Sequence, residues 1–272
     1  MRYLLPAVLC LGLASCGAGS SAPPGRSPPP PLPPAAAALN WAPHILVDQF
    51  GYLPASRKVA VIRDPRTGFD SNDRFIPGET YEVRRAEDGQ IVFSGRPARW
   101  RNGAVDASAG DAGWWFDFSD VKEEGTYFVH DAAREVRSAP FRISAEVYAP
   151  ILKAAMRTFF YQRSGFAKRA PWAEECWTDD AAYLGPGQDA EARDVTDRDN
   201  PDKVRDLSGG WFDAGDTNKY VTFASAPVHQ LLSAYEANPA AFTDDFDIPE
   251  SGNGVPDLID EVKWEIDWLR RM

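Results

Sequence analysis

Cysteine is scarce in this chain. Of its 272 residues three are cysteine, at positions 10, 16 and 176, and three are histidine, at 44, 130 and 229. The histidines are scattered, and His229 falls inside an expected helix, where a packing or surface role is the simpler reading. No serine or cysteine nucleophile motif and no phosphate-cradling glycine loop occurs. Basic residues are outnumbered. Lys and Arg total 29 against 40 Asp and Glu, a formal net charge of −11. That balance excludes nucleic acid, whose phosphates demand a basic surface.

Long hydrophobic runs are missing as well. The apolar stretch Leu4–Leu13 behind Arg2 is too short to span a bilayer and reads as a secretory signal over residues 1–16. Leu13-Ala14-Ser15-Cys16 resembles the lipobox of bacterial lipoproteins, with Cys16 as the lipid anchor. An ordinary cleavable signal with an incidental cysteine is the alternative. Cys10 leaves with the signal and acylation consumes Cys16, so Cys176 remains alone and no internal disulfide can form. The expected location is outside the cytoplasm, on a membrane facing the periplasm or cell exterior, with the lipid as the membrane contact. Residues 17–42 then read as a Pro/Ala-rich linker. Its proline runs at 28–31 and 33–34 favour extended polyproline II and cannot bury a core.

What is present is concentrated in Gly209-Gly210-Trp211-Phe212-Asp213-Ala214-Gly215-Asp216. Two carboxylates are separated by small residues that let water and backbone approach. The double glycine permits a tight turn, and Trp211 offers an apolar face of the kind that stacks on a sugar ring. A carboxylate that deprotonates a water is the working part of an inverting glycosidase. A plainer reading stands beside it. Tyr220, Ala224, Val228, Leu231, Leu232 and Tyr235 recur at helical spacing, so a helix is expected to open near Thr217. Asp216 would then be its N-cap and Asp213 a turn residue. The two roles are compatible, since the positive end of a helix favours an ionised carboxylate.

Residues 43–144 carry short β-like runs separated by turn signals: Val59–Ile62, Thr80–Val83, Ile91–Phe93, Trp114–Phe118, Thr126–Val129 and Pro140–Ile143. About seven strands in roughly 100 residues is the rhythm of an immunoglobulin-like sandwich. From residue 145 the period becomes helical. Val147, Ile151, Leu152, Ala155, Met156 and Phe159 mark a helix of about four turns. Another, opened by Pro256-Asp257, is marked by Val255, Leu258, Ile259, Val262, Ile266 and Leu269. A long acidic loop, about 166–208, precedes the Gly-Gly-Trp segment, and loops of that length are usually functional.

The segment Leu207–Val221 closely resembles the base-bearing motif of glycoside hydrolase family 9, the endoglucanases and related β-glucan hydrolases. Three further segments agree in order. Ile45–Pro54 resembles the start of the immunoglobulin-like module that precedes many of these catalytic domains. Phe159–Gly165 resembles the end of the first catalytic helix, and Ile248–Asp257, running on to Trp268-Leu269, the entry to a later one. The resemblance implies a multi-domain chain: an all-β immunoglobulin-like sandwich, then residues 145–272 as the first part of an all-α (α/α)6 barrel, with about three of twelve helices present. It implies inverting hydrolysis of β-1,4 bonds in cellulose or a related β-glucan, without a required cofactor. Asp216 becomes the general base, Asp213 the carboxylate that orients the attacking water, and Trp211 a residue shaping the cleft. The general-acid glutamate comes from near the end of the family's catalytic domain, beyond this chain. The 272 residues alone are therefore expected to be inactive.

Many relatives hold a structural zinc. The matching positions here are Ser164, Cys176, Trp177 and Phe212; only one is a ligand type where zinc takes four, so no zinc is expected. Calcium, frequent in the family, remains possible with its ligands unplaced. Asp194, Asp197, Asp199 and Asp202 lack the glycine and glutamate of an EF-hand and read as a solvated acidic loop. The rival to the enzyme is a surface lipoprotein that binds glycans without cleaving them. Which β-glucan is used, and whether from its ends or internally, is not written in these residues.

Overall fold

Alternating burial along short segments builds the first half of the chain. The computed structural model describes residues 34–272. Residues 1–33, and with them the signal, Cys16 and most of the expected linker, lie outside the described residues. Two compact units form, one ending at Ala155 and the other running from Met156 to Met272.

The first unit contains ten strands: β1 (Asn40–Trp41), β2 (Ile45–Leu46), β3 (Val59–Pro65), β4 (Tyr81–Arg85), β5 (Ile91–Gly95), β6 (Ala98–Arg99), β7 (Asp111–Asp117), β8 (Gly125–Asp131), β9 (Val136–Arg137) and β10 (Phe141–Ile143). One sheet runs β1-β9-β8-β4-β5, with β10 also paired to β8; the other runs β2-β3-β7-β6. Neighbouring named strands are antiparallel except β1 and β9. The register sets Ala60 opposite Phe116 and Ile62 opposite Trp114. Period-two alternation then turns Ala60, Ile62 and Phe116 inward. From the other sheet Tyr81, Val83, Tyr127, Val129, Phe141 and Ile143 meet them in one buried cluster. Tyr52 stands edge-on to Phe118 and Phe141, with ring centres 5.4 and 5.3 Å apart.

All six strands expected from alternation are present. Four more are only two residues long, too short to alternate. One correction concerns the linker, whose last residues are folded. Pro34–Ala37 form a helical turn, α1. Ala36 is buried against Ala86 and Phe128, and its carbonyl accepts from the Arg137 guanidinium. Small alanines, which the tract's composition marked as spacer, fit closely against the sheet.

Three longer helices follow: α2 (Ala149–Gln162), whose first turns belong to the first unit, then α3 (Val221–Ala237) and α4 (Asp257–Leu269). No helix among the described residues is long and apolar enough to cross a membrane. On α4 the buried face runs Asp257, Leu258, Glu261, Val262, Glu265, Trp268, holding from Leu258 the i, i+3, i+4, i+7 stripe of a core helix, with three acids on that face. On α3 only Ala224 is buried, and Phe223 is 58% exposed.

Candidate active site

The Gly-Gly-Trp segment is laid against the end of α2 and the buried face of α4. Gly209 and Gly210 both have positive φ, +85° and +75°. At Gly210 a Cβ would stand 2.6 Å from the Trp268 ring, so glycine is required there by conformation and by space. The Gly210 carbonyl accepts from the Ser164 amide at 2.8 Å and from the Trp264 indole at 3.1 Å. Trp211 bridges to Arg163 in an antiparallel pair, and the Phe212 amide donates to the Gln162 carbonyl at 2.8 Å. On the other side, the Lys219 ammonium donates to the Leu207 and Gly209 carbonyls at 2.8 and 3.0 Å and pairs with Asp189.

Beyond this anchored stretch the chain turns out to solvent. The Asp213 amide donates to the Asn218 carbonyl at 2.8 Å, closing a loop over 213–218. Asp213 and Asp216 are both exposed. Asp216 accepts from the Asn218 amide through Oδ1 and from the Asn218 side-chain amide through Oδ2, each at 3.2 Å. Thr217 has φ +58°, and its hydroxyl lies 2.6 Å from that of Tyr183.

The N-cap expectation for Asp216 is therefore corrected. The helix opens at Val221, not near Thr217, and Tyr220 occupies the cap position without a side-chain bond. The left-handed residue at 217 interrupts any helix that would begin there. The Asp216 carboxylate instead folds back on residue 218, the local competition that Asp offers a backbone. The helix-dipole argument lapses with the cap, since that field acts within the first turn.

Trp211 lies inward of the turn. It is only 7% exposed, its ring packs on Phe159 at 4.9 Å, and its indole nitrogen donates to Glu261 at 3.3 Å. A ring so enclosed serves as a wall. It lines a cavity of about 170 Å³ with Phe159, Phe212, Asp213, Tyr220 and Glu265. Asp213 thus reaches both the solvent-facing turn and the mouth of this apolar recess.

The sequence reading missed the group beneath the turn. Arg163 is fully buried and clamps Glu250 through two bonds of 3.0 and 2.9 Å. It pairs with Glu261 at 3.0 Å, and its guanidinium lies 4.6 Å from the Trp264 ring centre. Glu265 accepts the Trp211 backbone N–H at 2.6 Å. Burial pushes the Glu261 carboxyl up to about 7 against the pull of Arg163. Burial likewise raises Glu265 to about 7, opposed by the Trp211 N–H and the Lys219 charge. The one sequence signal was two acids four residues apart on the apolar face of α4.

The acidic-loop aspartates do not gather around the turn. Asp194 and Asp197 pair with Lys203 at 3.8 and 3.1 Å, and Asp194 accepts from the Thr196 amide and hydroxyl. Asp199 and Asp202 lie exposed on the same loop. Of the four positions matched to the zinc site, Ser164 and Phe212 are buried, Cys176 is half-buried and Trp177 exposed. Among the described residues no three His, Cys, Asp or Glu side chains are grouped so as to hold a metal ion. His44 stacks on Phe75 and His130 is buried beside Glu82, both in the sandwich unit; His229 is exposed on α3.

Comparison with known proteins follows the same division of the chain. The family model "Cellulase N-terminal ig-like domain" matches residues 40–135, and that of "Glycosyl hydrolase family 9" matches 148–272, the turn included. The second half of the chain is similar to glycosyl hydrolase family 9. Endoglucanase C of Cellulomonas fimi is 35% identical over 85% of this chain and 21% of its own length. A cellulose 1,4-beta-cellobiosidase of Acetivibrio thermocellus is 31% identical over 85% of this chain and 27% of its own. Among solved structures, a metagenome-derived family 9 endoglucanase superposes with TM-score 0.65 and 36% identity, covering 84% of this chain and 40% of that one. The chain thus spans about a fifth to two fifths of the length of these relatives.

Proposed function

We propose that this chain is the N-terminal portion of an exported enzyme that hydrolyses β-1,4 bonds of cellulose or a related β-glucan with inversion. The observation that carries this is the family 9 match over the turn that presents Asp213 and Asp216 to solvent. Asp216 takes a proton from a water that attacks the anomeric carbon. Its two bonds to Asn218 fix the carboxylate's orientation. Asp213, at the mouth of the recess, holds that water. Small residues at 214 and 215 leave room for sugar and water to approach.

An inverting glycosidase needs a second carboxyl about 6.5–9.5 Å away to protonate the leaving oxygen. We assign that group to the length of the relatives which these 272 residues do not span, together with the remaining helices of an (α/α)6 barrel begun by α2, α3 and α4. The chain by itself is then inactive, and Cys16 tethers the enzyme to a membrane through lipid. The sandwich has a structural role. No zinc is required, and calcium is left unassigned.

The test is Asp216→Asn in a protein that carries this chain within a complete family 9 domain. Loss of a general base costs about 10²–10⁴ in rate, so reducing-sugar release from soluble cellulose should fall by at least a hundredfold. A variant as fast as the parent would remove the proposal.

A further inference from the structure

The Asp213–Asp216 loop has few ties of its own, yet a base must be held to within a fraction of an ångström of its water. What holds it lies one layer down. Trp211, two residues before Asp213, is gripped by two acids on α4. Glu265 accepts its backbone N–H at 2.6 Å, and Glu261 accepts its indole N–H at 3.3 Å. Both glutamates are 1% exposed. Of the two sandwich acids of comparable burial, Asp64 meets Arg74, whereas Asp131 accepts the backbone N–H groups of Gly78, Ala133 and Arg134. Glu265 has no arginine. A backbone N–H of the residue two before Asp213 is its hydrogen-bond partner, so the buried carboxylate acts directly on the segment that leads into the turn.

We propose that Glu265 is a positioning residue for the candidate catalytic turn, fixing the Trp211 backbone so that Asp213 and Asp216 leave α4 in one direction. The proposal rests on the role given above to those two aspartates. The groups facing Glu265 are few. Lys219 approaches from the loop before α3, its ammonium 5.3 Å from the Trp268 ring centre. Trp211 faces it from the turn, and Asp213 and Tyr220 share its cavity. Glu261 lies one turn back on α4, with Arg163 and Glu250 behind it. A short charge-assisted bond from N–H to carboxylate weakens when the acceptor is protonated. The Trp211 amide should therefore report the ionisation of Glu265 near neutral pH.

The experiment follows the Trp211 amide and indole resonances of the ¹⁵N-labelled full chain between pH 5 and 8.5. The amide is expected to move downfield with a midpoint near 7. In Glu265→Gln, which keeps an acceptor and loses the charge, that titration should vanish while the amide stays protected. In Glu265→Leu its hydrogen exchange should quicken at least tenfold, with sandwich amides unchanged. An amide that keeps the same pH response in Glu265→Gln overturns the proposal, even if the leucine variant fails to fold. The readout needs no hydrolysis. A positive result alongside a fully active Asp216→Asn enzyme would keep the clamp and discard the catalytic reading; the reverse would discard only the clamp.

Discussion

The two units place their acids in opposite settings. In the sandwich the buried cluster is apolar and aromatic, and the acids Asp64 and Glu82 are answered by arginines. Burial alone would raise Asp64, but hydrogen bonds from Arg74 and the Phe75 amide, with the charges of Arg66 and Arg74, hold it below the ordinary range. Glu82 is likewise lowered, because Arg84 and His130 outweigh its burial. In the helical unit the balance reverses. Asp257, Asp260, Glu261 and Glu265 are all raised, with burial the largest cause for each, and all four lie on α4. In the sandwich, Asp64 and Glu82 sit where arginines neutralise them. The module bearing the candidate chemistry keeps costly carboxyls inside, where they organise backbone.

The hardest test of that contrast is Arg163→Met. It removes the cation from Glu261, which is 1% exposed, and from Glu250. Leaving a buried charge unanswered costs about 3–5 kcal/mol. Hydrogen exchange read by mass spectrometry should show that loss in peptides from 156–272 and not in those from 59–143. The loss should also be smaller at pH 5 than at pH 8, because Glu261 can then accept a proton. Equal loss in both units would erase the distinction.

Acidification should separate the units in sign. A group raised in the fold contributes stability that is present below its unfolded value and lost as pH rises through the folded one. Glu265, raised to about 7, therefore favours the helical unit at pH 4.5 over pH 8 by up to about 3 kcal/mol. Glu265→Gln should remove that dependence in urea unfolding followed by tryptophan fluorescence. In the sandwich Asp64 and Glu82 are depressed, so the stability they give is present above the ordinary carboxylate range and lost as pH falls through it. A helical unit that instead gained stability from pH 5 to pH 8 would contradict the burial of its acids.

How much of this could be read from residues alone follows from the range of each interaction. Alternation marked β3, β4, β5, β7 and β8, whose seven- or five-residue runs repeat often enough to show a period, and the three-residue β10. It could not mark β1, β2, β6 and β9, each of two residues, which are defined by the strands they pair with. Helical spacing located α2 and α4. It misplaced the start of α3 because Tyr220 fits the apolar period while Thr217, at positive φ, breaks the backbone. The two aspartates were legible as a motif. Their setting was not, since Glu261, Glu265 and Arg163 acquire meaning only once α4 lies against the end of α2.

The smallest expected effect bears most directly on that gap. Were Asp216 an N-cap, Asp216→Ala would cost about 0.5–2 kcal/mol of helix stability, whereas asparagine would cap nearly as well. In the structure the side chain closes a solvent-exposed turn on Asn218 and α3 begins five residues later. Asp216→Asn should then change unfolding stability by less than about 0.5 kcal/mol, the usual size for an exposed substitution. Asp216→Ala should cost no more than one exposed hydrogen bond, about 0.5–1 kcal/mol, confined in exchange measurements to residues 213–218. Loss of protection running on through 221–228 under the alanine change would restore the cap. A stable, turn-local response would leave the carboxylate's exposure without a structural purpose, which is what a residue kept for chemistry requires.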